Sequence, residues 1–195
     1  KTTIDNSNVN VIKLNEKILA VTEVPFYMEF DPESLDMRGG ADYNDDITGP
    51  ITTAHGHYDF DKKESYNYIL KMGRKGVYQI FKQIGKKRET ITCLETDSPS
   101  YMHNSFVMTE NYIVFIENPL QTSTVKFLFR TKPFIQNYKW QPEKGTKFTV
   151  IKRENGEIVG EYKSFPFFYF HQGNAYEENG KIVMDLCIYK DASII

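Results

Sequence analysis

The stretch Phe167-Phe-Tyr-Phe-His171-Gln-Gly-Asn174-Ala-Tyr-Glu177-Glu-Asn179-Gly180-Lys-Ile-Val-Met-Asp-Leu-Cys-Ile-Tyr189 decides the fold. Two runs rich in aromatic and β-branched residues flank Asn179-Gly180, and such residues fit the pleated, half-buried surface of a sheet. Asn-Gly between apolar runs is the strongest short hairpin signal, because both central residues of its turn take positive φ. The stretch reads as an antiparallel hairpin, with His171 on its first strand.

The same pattern recurs along the chain. Residues 147–153 and 157–162 flank Asn155-Gly156, and residues 10–14 and 17–22 are joined by Asn15-Glu16. Further strands are expected at 57–60, 66–71, 77–84, 90–94 and 111–117. No stretch keeps a helical period beyond a turn or two; residues 122–134 are the one ambiguous segment, a short helix or an irregular loop. Thirteen Tyr, fourteen Phe and one Trp add to the all-β reading. Many short antiparallel strands point to a barrel, a sandwich or a propeller, and no short tandem motif chooses among them.

The 195 residues suffice for one domain. With 24 basic and 26 acidic residues spread evenly, the net charge is −2, and the clustered basic face that nucleic acid requires is missing. No apolar run reaches the roughly 18 residues of a membrane span, and no signal peptide opens the sequence. Cys93 and Cys187 sit in apolar runs without C-x-x-C spacing and read as buried free thiols. These features suggest a soluble cytoplasmic protein. Lys1 opens without an initiator Met and the chain stops just after a strand, so a fragment of a longer chain is expected.

Chemistry rests on four histidines: His55, His57, His103 and His171. A lone histidine is more often a satisfied polar residue than a ligand, but the settings here are unusual. His55 and His57 lie in Thr52-Thr-Ala-His55-Gly-His57-Tyr-Asp59, a small-residue approach to a strand. His103 follows Ser98-Pro-Ser-Tyr-Met102, and His171 follows Pro166 and four large rings. They lie far apart in sequence without Cys or carboxylate at metal-finger spacing, which argues against a structural zinc module. The spacing suits a metal on the axis of a closed β structure. All-imidazole coordination suits iron, copper or zinc alike. Residues two apart on a strand share a face, so geometry alone leaves both His55 and His57 available.

In order along the chain, Thr53-Ala-His55-Gly-His57-Tyr-Asp59, Pro99-Ser-Tyr-Met-His103 and Phe167-Phe-Tyr-Phe-His171-Gln-Gly-Asn174-Ala-Tyr-Glu177 resemble the carotenoid oxygenase family. That family includes carotenoid and apocarotenoid cleavage dioxygenases, stilbene-cleaving relatives and the retinoid isomerase. Glu29-Phe-Asp-Pro-Glu-Ser-Leu35, Thr109-Glu-Asn-Tyr-Ile113 and Gly145-Thr-Lys-Phe-Thr149 match as connecting phrases, so the likeness covers nearly all of residues 1–195. The resemblance implies part of a seven-bladed β-propeller with one ferrous iron on its axis, held by four histidines. His55, His103 and His171 match three of them; the fourth would lie beyond Ile195. His55 is favoured over His57 because some relatives keep only the first of the pair. Glu23 matches one of three glutamates that accept a hydrogen bond from a ligand imidazole, the other two lying downstream.

The implied reaction uses dioxygen as co-substrate and splits one conjugated C=C bond of a lipophilic polyene, a carotenoid or apocarotenoid, into two carbonyl products. On this reading the 195 residues alone are inactive. A same-fold iron isomerase and a non-catalytic propeller module that needs no iron are the alternatives. Phe167, Phe168, Tyr169, Phe170, Tyr101 and Phe106 are candidates for the walls of an apolar substrate tunnel or for blade packing. Pro119-Leu120 and Val125-Lys-Phe-Leu-Phe-Arg130 read either as a patch that touches lipid headgroups or as a loop packed on the propeller. Two departures from the family stand out. Gly56 replaces the usual Pro, which should loosen that turn. Asn104 is an extra residue, expected to be taken up as a bulge with Val107 and Ile113 still facing the core.

Overall fold

The computed structural model describes residues 7–14, 16–101, 105–125 and 133–195, and the chain is all-β apart from short helical turns. It divides into two compact units, Lys1–Lys71 with Tyr78–Cys93, and Met72–Val77 with Leu94–Ile195.

The first unit opens with β1 (Asn10–Leu14), β2 (Lys17–Val21), β3 (Met28–Phe30) and β4 (Met37–Gly40), an antiparallel sheet in sequence order. Alternation on β2 puts Leu19 and Val21 inward, where they pack with Leu14, Tyr27 and Ala54. A second sheet runs β5 (Ile51–Thr52), β7 (Glu64–Met72), β8 (Gly76–Ile84), β9 (Lys87–Thr96), with β6 (His57–Asp59) also on β7. Here Ile69 and Phe81 meet Ile47 from the preceding loop. The loop is fastened by Asp45, whose carboxylate takes two hydrogen bonds from the Arg88 guanidinium, at 3.0 and 2.7 Å. Arg88 also lies over the Tyr43 ring, 4.0 Å from its centroid.

The second unit is built on the sheet β10 (Val107–Met108), β11 (Tyr112–Glu117), β14 (Thr146–Lys152), β15 (Ile158–Ser164). Beside it are a small pair, β12 (Leu120–Gln121) with β13 (Lys139–Trp140), and the hairpin β16 (Phe168–Glu178), β17 (Lys181–Tyr189). Val107 pairs with Val114 and Met108 with Ile113, and Val107 and Ile113 are both fully buried; the extra residue Asn104 itself lies outside the described residues. Tyr169 and Phe167 pack with Val107, Val114, Ile116 and Val150, while Phe168 packs with Leu120 and Tyr138. Burying each such side chain contributes about 1.5–3 kcal/mol.

Several expectations change in detail. The turn at Asn179-Gly180 has φ of 51° and 72°, as a type I′ turn requires. At Asn155-Gly156 only Gly156 is left-handed, at 75°. The loop there is longer: Lys152 N–H bonds the Glu157 carbonyl, and the Asn155 side chain accepts from Glu157 N–H. Both cysteines are free but exposed rather than buried, because strand alternation turns Cys93 and Cys187 outward. Pro119 and Leu120 are buried, Leu120 against Tyr138 and Phe168, so they form no surface patch. Val125 is 55% exposed, and 126–130 lie outside the described residues. The ambiguous segment turns helical at Thr124, and Phe134–Asn137 form a 3₁₀ turn. Among the described residues no helix is long and apolar enough to cross a membrane.

Candidate metal centre

The His55 segment is a break in a strand. Thr52 pairs with Ile69 on β7, and His57 pairs with Tyr66. Between those pairs β7 has only Asn67 and Tyr68, whereas the other side has Thr53, Ala54, His55 and Gly56. Four residues opposite two must leave the pleat, which re-aims the side chains they carry. The two histidines that strand periodicity alone left equivalent are thus in different settings. His57 is a ladder residue lining an internal cavity of about 70 Å³ beside Tyr27, Tyr66 and Arg88. His55 is on the excursion and half-buried, with its N–H donating to Thr53 Oγ1 at 3.1 Å.

The turn is close-packed rather than loose. A Cβ at Gly56 would sit 2.8 Å from the Tyr66 carbonyl oxygen and 3.1 Å from Asn67 Nδ2. Glycine is therefore needed here for a close backbone approach. Glu23 lies at the exit of β2: its carbonyl accepts from Thr52 N–H at 2.8 Å and its carboxylate from Thr22 Oγ1 at 3.1 Å. The backbone that bears Glu23 is thereby tied to the strand that enters the His55 excursion.

His171 also sits on an interrupted strand. Tyr169 pairs with Ile188 and Gln172 with Leu186, so Phe170 and His171 together oppose Cys187. A second shift follows, because Asn174 pairs with Asp185 and Gly173 has no opposite number. His171 is exposed, beside the Phe170 ring. The bulged strand is stapled on both sides of His171 to the chain that follows His103. Tyr169 Oη donates to the Ser105 carbonyl at 3.1 Å, and Gln172 Nε2 to the Phe106 carbonyl at 3.1 Å. His103 itself lies outside the described residues, and His55 and His171 belong to different units.

Sequence reading missed the residues that hold these segments. The Thr109-Glu-Asn-Tyr phrase is a turn clamped by Glu177, whose carboxylate accepts from Thr109 Oγ1 at 2.6 Å, Asn111 N at 2.8 Å and Asn111 Nδ2 at 3.0 Å. These bonds, that of the Asn111 side chain foremost, hold the carboxyl below its ordinary range. Arg153, buried, donates to the carbonyls of Thr109 and Glu110 at 2.8 and 2.7 Å. Of the aromatic candidates, Phe106, Phe167, Phe168 and Tyr169 are buried in packing clusters or core, and Tyr101 and Phe170 keep partial exposure. A groove of about 720 Å³ between β15 and the β16–β17 hairpin has no histidine in its walls.

The donor set fits a ferrous ion. His55 and His171 each lie at an interruption of strand pairing whereas His57 stays in the ladder, and imidazole nitrogen donors suit iron as well as zinc or copper. Among the described residues no group of three or more His, Cys, Asp or Glu side chains gathers into a metal site.

The description retinal pigment epithelial membrane protein, the family of the carotenoid oxygenases, matches residues 1–195. The chain belongs to this family. The human mitochondrial carotenoid-cleaving dioxygenase is 34% identical over 94% of the chain, and the carotenoid isomerooxygenase of Galleria mellonella 33% over 98%. This carotenoid oxygenase chain spans 34% and 40% of those relatives' lengths. Among solved structures, a mutant of Synechocystis apocarotenoid oxygenase superposes with a TM-score of 0.75 at 21% identity, covering 95% of this chain and 40% of that one. Pseudomonas brassicacearum lignostilbene dioxygenase gives 0.73 at 24%, covering 95% and 39%. The chain matches part of the carotenoid oxygenase fold, which in its complete form is a β-propeller.

Proposed function

We propose that the complete protein is a non-haem ferrous iron dioxygenase that cleaves one conjugated C=C bond of a carotenoid or apocarotenoid into two carbonyl fragments. One observation carries this reading: in a chain of the carotenoid oxygenase family, His55 and His171, the described histidines matched to ligands, both sit where strand pairing is interrupted, while His57 stays in the ladder. In this proposal His55, His103 and His171 hold Fe²⁺ on the axis of a seven-bladed propeller, and a fourth histidine comes from sequence after Ile195. When bound, the iron supplies the dioxygen chemistry that protein side chains lack.

The chain's own residues do the rest. The Glu23 carboxylate accepts an N–H from a ligand imidazole, which fixes its tautomer and raises its basicity. The strand interruptions set the direction of the imidazoles, and the bonds from Tyr169 and Gln172 hold Ser105 and Phe106 against β16. Tyr101 and Phe170, still partly exposed beside the packed rings, offer apolar faces to a lipophilic polyene and keep water from it. The segment 125–130 is the part of the chain proposed to touch a membrane surface, from which such a substrate is drawn.

Incubation of the full-length, iron-loaded protein with candidate polyenes under ¹⁸O₂ tests the reading. Two carbonyl fragments, each carrying label after rapid quenching, are expected. Turnover without fragments overturns cleavage, and a full-length protein that holds no iron supports the binding-module alternative. A second reading draws on the Galleria mellonella relative named as an isomerooxygenase. It is distinguished by a changed double-bond geometry in one cleavage product.

A further inference from the structure

An excursion of four residues opposite two leaves backbone groups without ladder partners, and buried groups of that kind must be satisfied by something else. For the Thr53 carbonyl that partner is Asn67, while Asn10 Nδ2 donates to the Ala54 carbonyl at 3.1 Å. Asn67 Nδ2 donates to the Thr53 carbonyl at 3.0 Å and to the Tyr27 hydroxyl at 3.2 Å, and Asn67 Oδ1 accepts Tyr68 N–H at 2.7 Å. Thr53 is fully buried, and its hydroxyl accepts the N–H of His55 at 3.1 Å. The Thr52 hydroxyl donates to the Tyr68 carbonyl at 2.6 Å and closes the near side. Gly56 completes the fit, because its bare Cα lets the turn lie against the Asn67 amide.

We infer that Asn67 is a positioning residue for His55: it fixes Thr53 by the carbonyl, and Thr53 fixes the His55 amide by its hydroxyl. The inference rests on the proposed role of His55 as an iron ligand. The chemistry explains why asparagine stands here. The site needs two donors and one acceptor on a short side chain. Aspartate would set a carboxylate oxygen against the Thr53 carbonyl, which can only accept. Glutamine would need space for a further methylene, where the Gly56 turn already lies at contact distance. Tyr27 is deeply buried, and burial pushes its phenol well above its ordinary value, so it stays a neutral hydroxyl partner.

The test uses full-length protein, stripped of metal and titrated anaerobically with Fe²⁺. The readouts are the iron dissociation constant and the EPR signature of the ferrous–nitrosyl adduct. Asn67→Asp should weaken iron binding about 10- to 100-fold, the usual consequence of losing a group that orients a ligand, and broaden the nitrosyl signal. Asp45→Asn serves as the stability control, since it destabilises the same unit without touching the Asn67–Thr53 link. If it weakens iron binding as much as Asn67→Asp does, the effect is general destabilisation and the inference fails. Should Asn67→Asp not fold, Thr53→Val removes the hydroxyl that receives the His55 amide, and it should weaken iron binding in the same direction. An iron constant within twofold of wild type in the folded variant overturns the inference, provided His55→Ala loses its iron. A His55→Ala protein that keeps full iron overturns the ligand assignment instead.

Discussion

Replacing Asp45 by Asn should cost the first unit about 3–5 kcal/mol, the usual penalty for leaving one charge of a buried pair alone. The Arg88 and Asp45 side chains are only 6% and 11% exposed, so little solvent screens them. Asp45 Oδ2 receives Arg88 Nε and the Arg88 backbone N–H at 3.0 and 3.1 Å, and Oδ1 receives Arg88 Nη2 and Ile47 N–H at 2.7 and 2.9 Å. An asparagine carries no charge, and its amide group sets donors against donors. What remains for the guanidinium is the Ile47 carbonyl at 2.6 Å and the rings of Tyr43 and Phe81. Urea unfolding of the full-length protein measures the loss. Amide exchange in β8 and β9 should speed up by roughly 10²- to 10⁴-fold, since each 1.36 kcal/mol is a factor of ten.

The pH dependence gives a second check. Burial raises the Asp45 pKa, but the Arg88 hydrogen bond, the Ile47 N–H and the Arg88 charge outweigh it, and the net value lies below the ordinary 3.8. A depressed carboxyl stabilises the fold above its unfolded pKa and loses that contribution as pH falls through the folded value. The gap between wild type and Asp45→Asn should therefore be constant above about pH 5 and shrink below about pH 4. Pairing Asp45→Leu with Arg88→Met should recover most of the loss. A penalty below about 1 kcal/mol, typical of solvated pairs, would refute the reasoning and mean that water reaches the guanidinium.

Three further outcomes are expected. His55→Ala in the full-length protein should lose bound iron and activity while His57→Ala keeps most of its iron; metal analysis showing the reverse would reassign the ligand. Glu117 is buried, which raises its pKa, with the Lys147 charge at 3.8 Å lowering it and Glu161 raising it. A raised carboxyl loses stability as pH rises through the folded value, so Glu117→Gln should be more stable than wild type at pH 8 and equal to it at pH 4. Urea midpoints at the two pH values measure that gain, and a uniform shift would contradict it. Tyr169→Phe removes the bond to the Ser105 carbonyl between two buried residues and should lower stability by about 1 kcal/mol, again read from the urea midpoint.

Much of the fold was legible because its long strands are dense in β-branched and aromatic residues. The strands at 10–14, 64–72, 76–84, 87–96 and 112–117 fall where that composition falls. The short strands Met28–Phe30, Met37–Gly40, Ile51–Thr52, Val107–Met108, Leu120–Gln121 and Lys139–Trp140 did not announce themselves. Two to four residues carry too little periodicity, and these strands exist because a neighbour pairs with them. The candidate site divides in the same way. Its histidines stood out through their flanking motifs, but the register that separates His55 from His57 depends on β7, and a pairing partner is not encoded in the local run. Asn67 reads in sequence as an ordinary polar strand residue between Tyr66 and Tyr68. Glu177 lies in a recognised phrase, yet its bond to Thr109 spans 68 positions.

Gly56 has a consequence for the engineering of this chain. The family resemblance implies proline at this place, but a Cβ at 56 would lie 2.8 Å from the Tyr66 carbonyl oxygen of the neighbouring strand. Proline cannot be introduced here by a single change, because the β7 backbone would have to give way first. Substitution at this position is contingent on its surroundings. Consensus-guided stabilisation, which commonly gains about 0.5–2 kcal/mol per change, would misfire at 56 unless Tyr66 and Asn67 are repacked first.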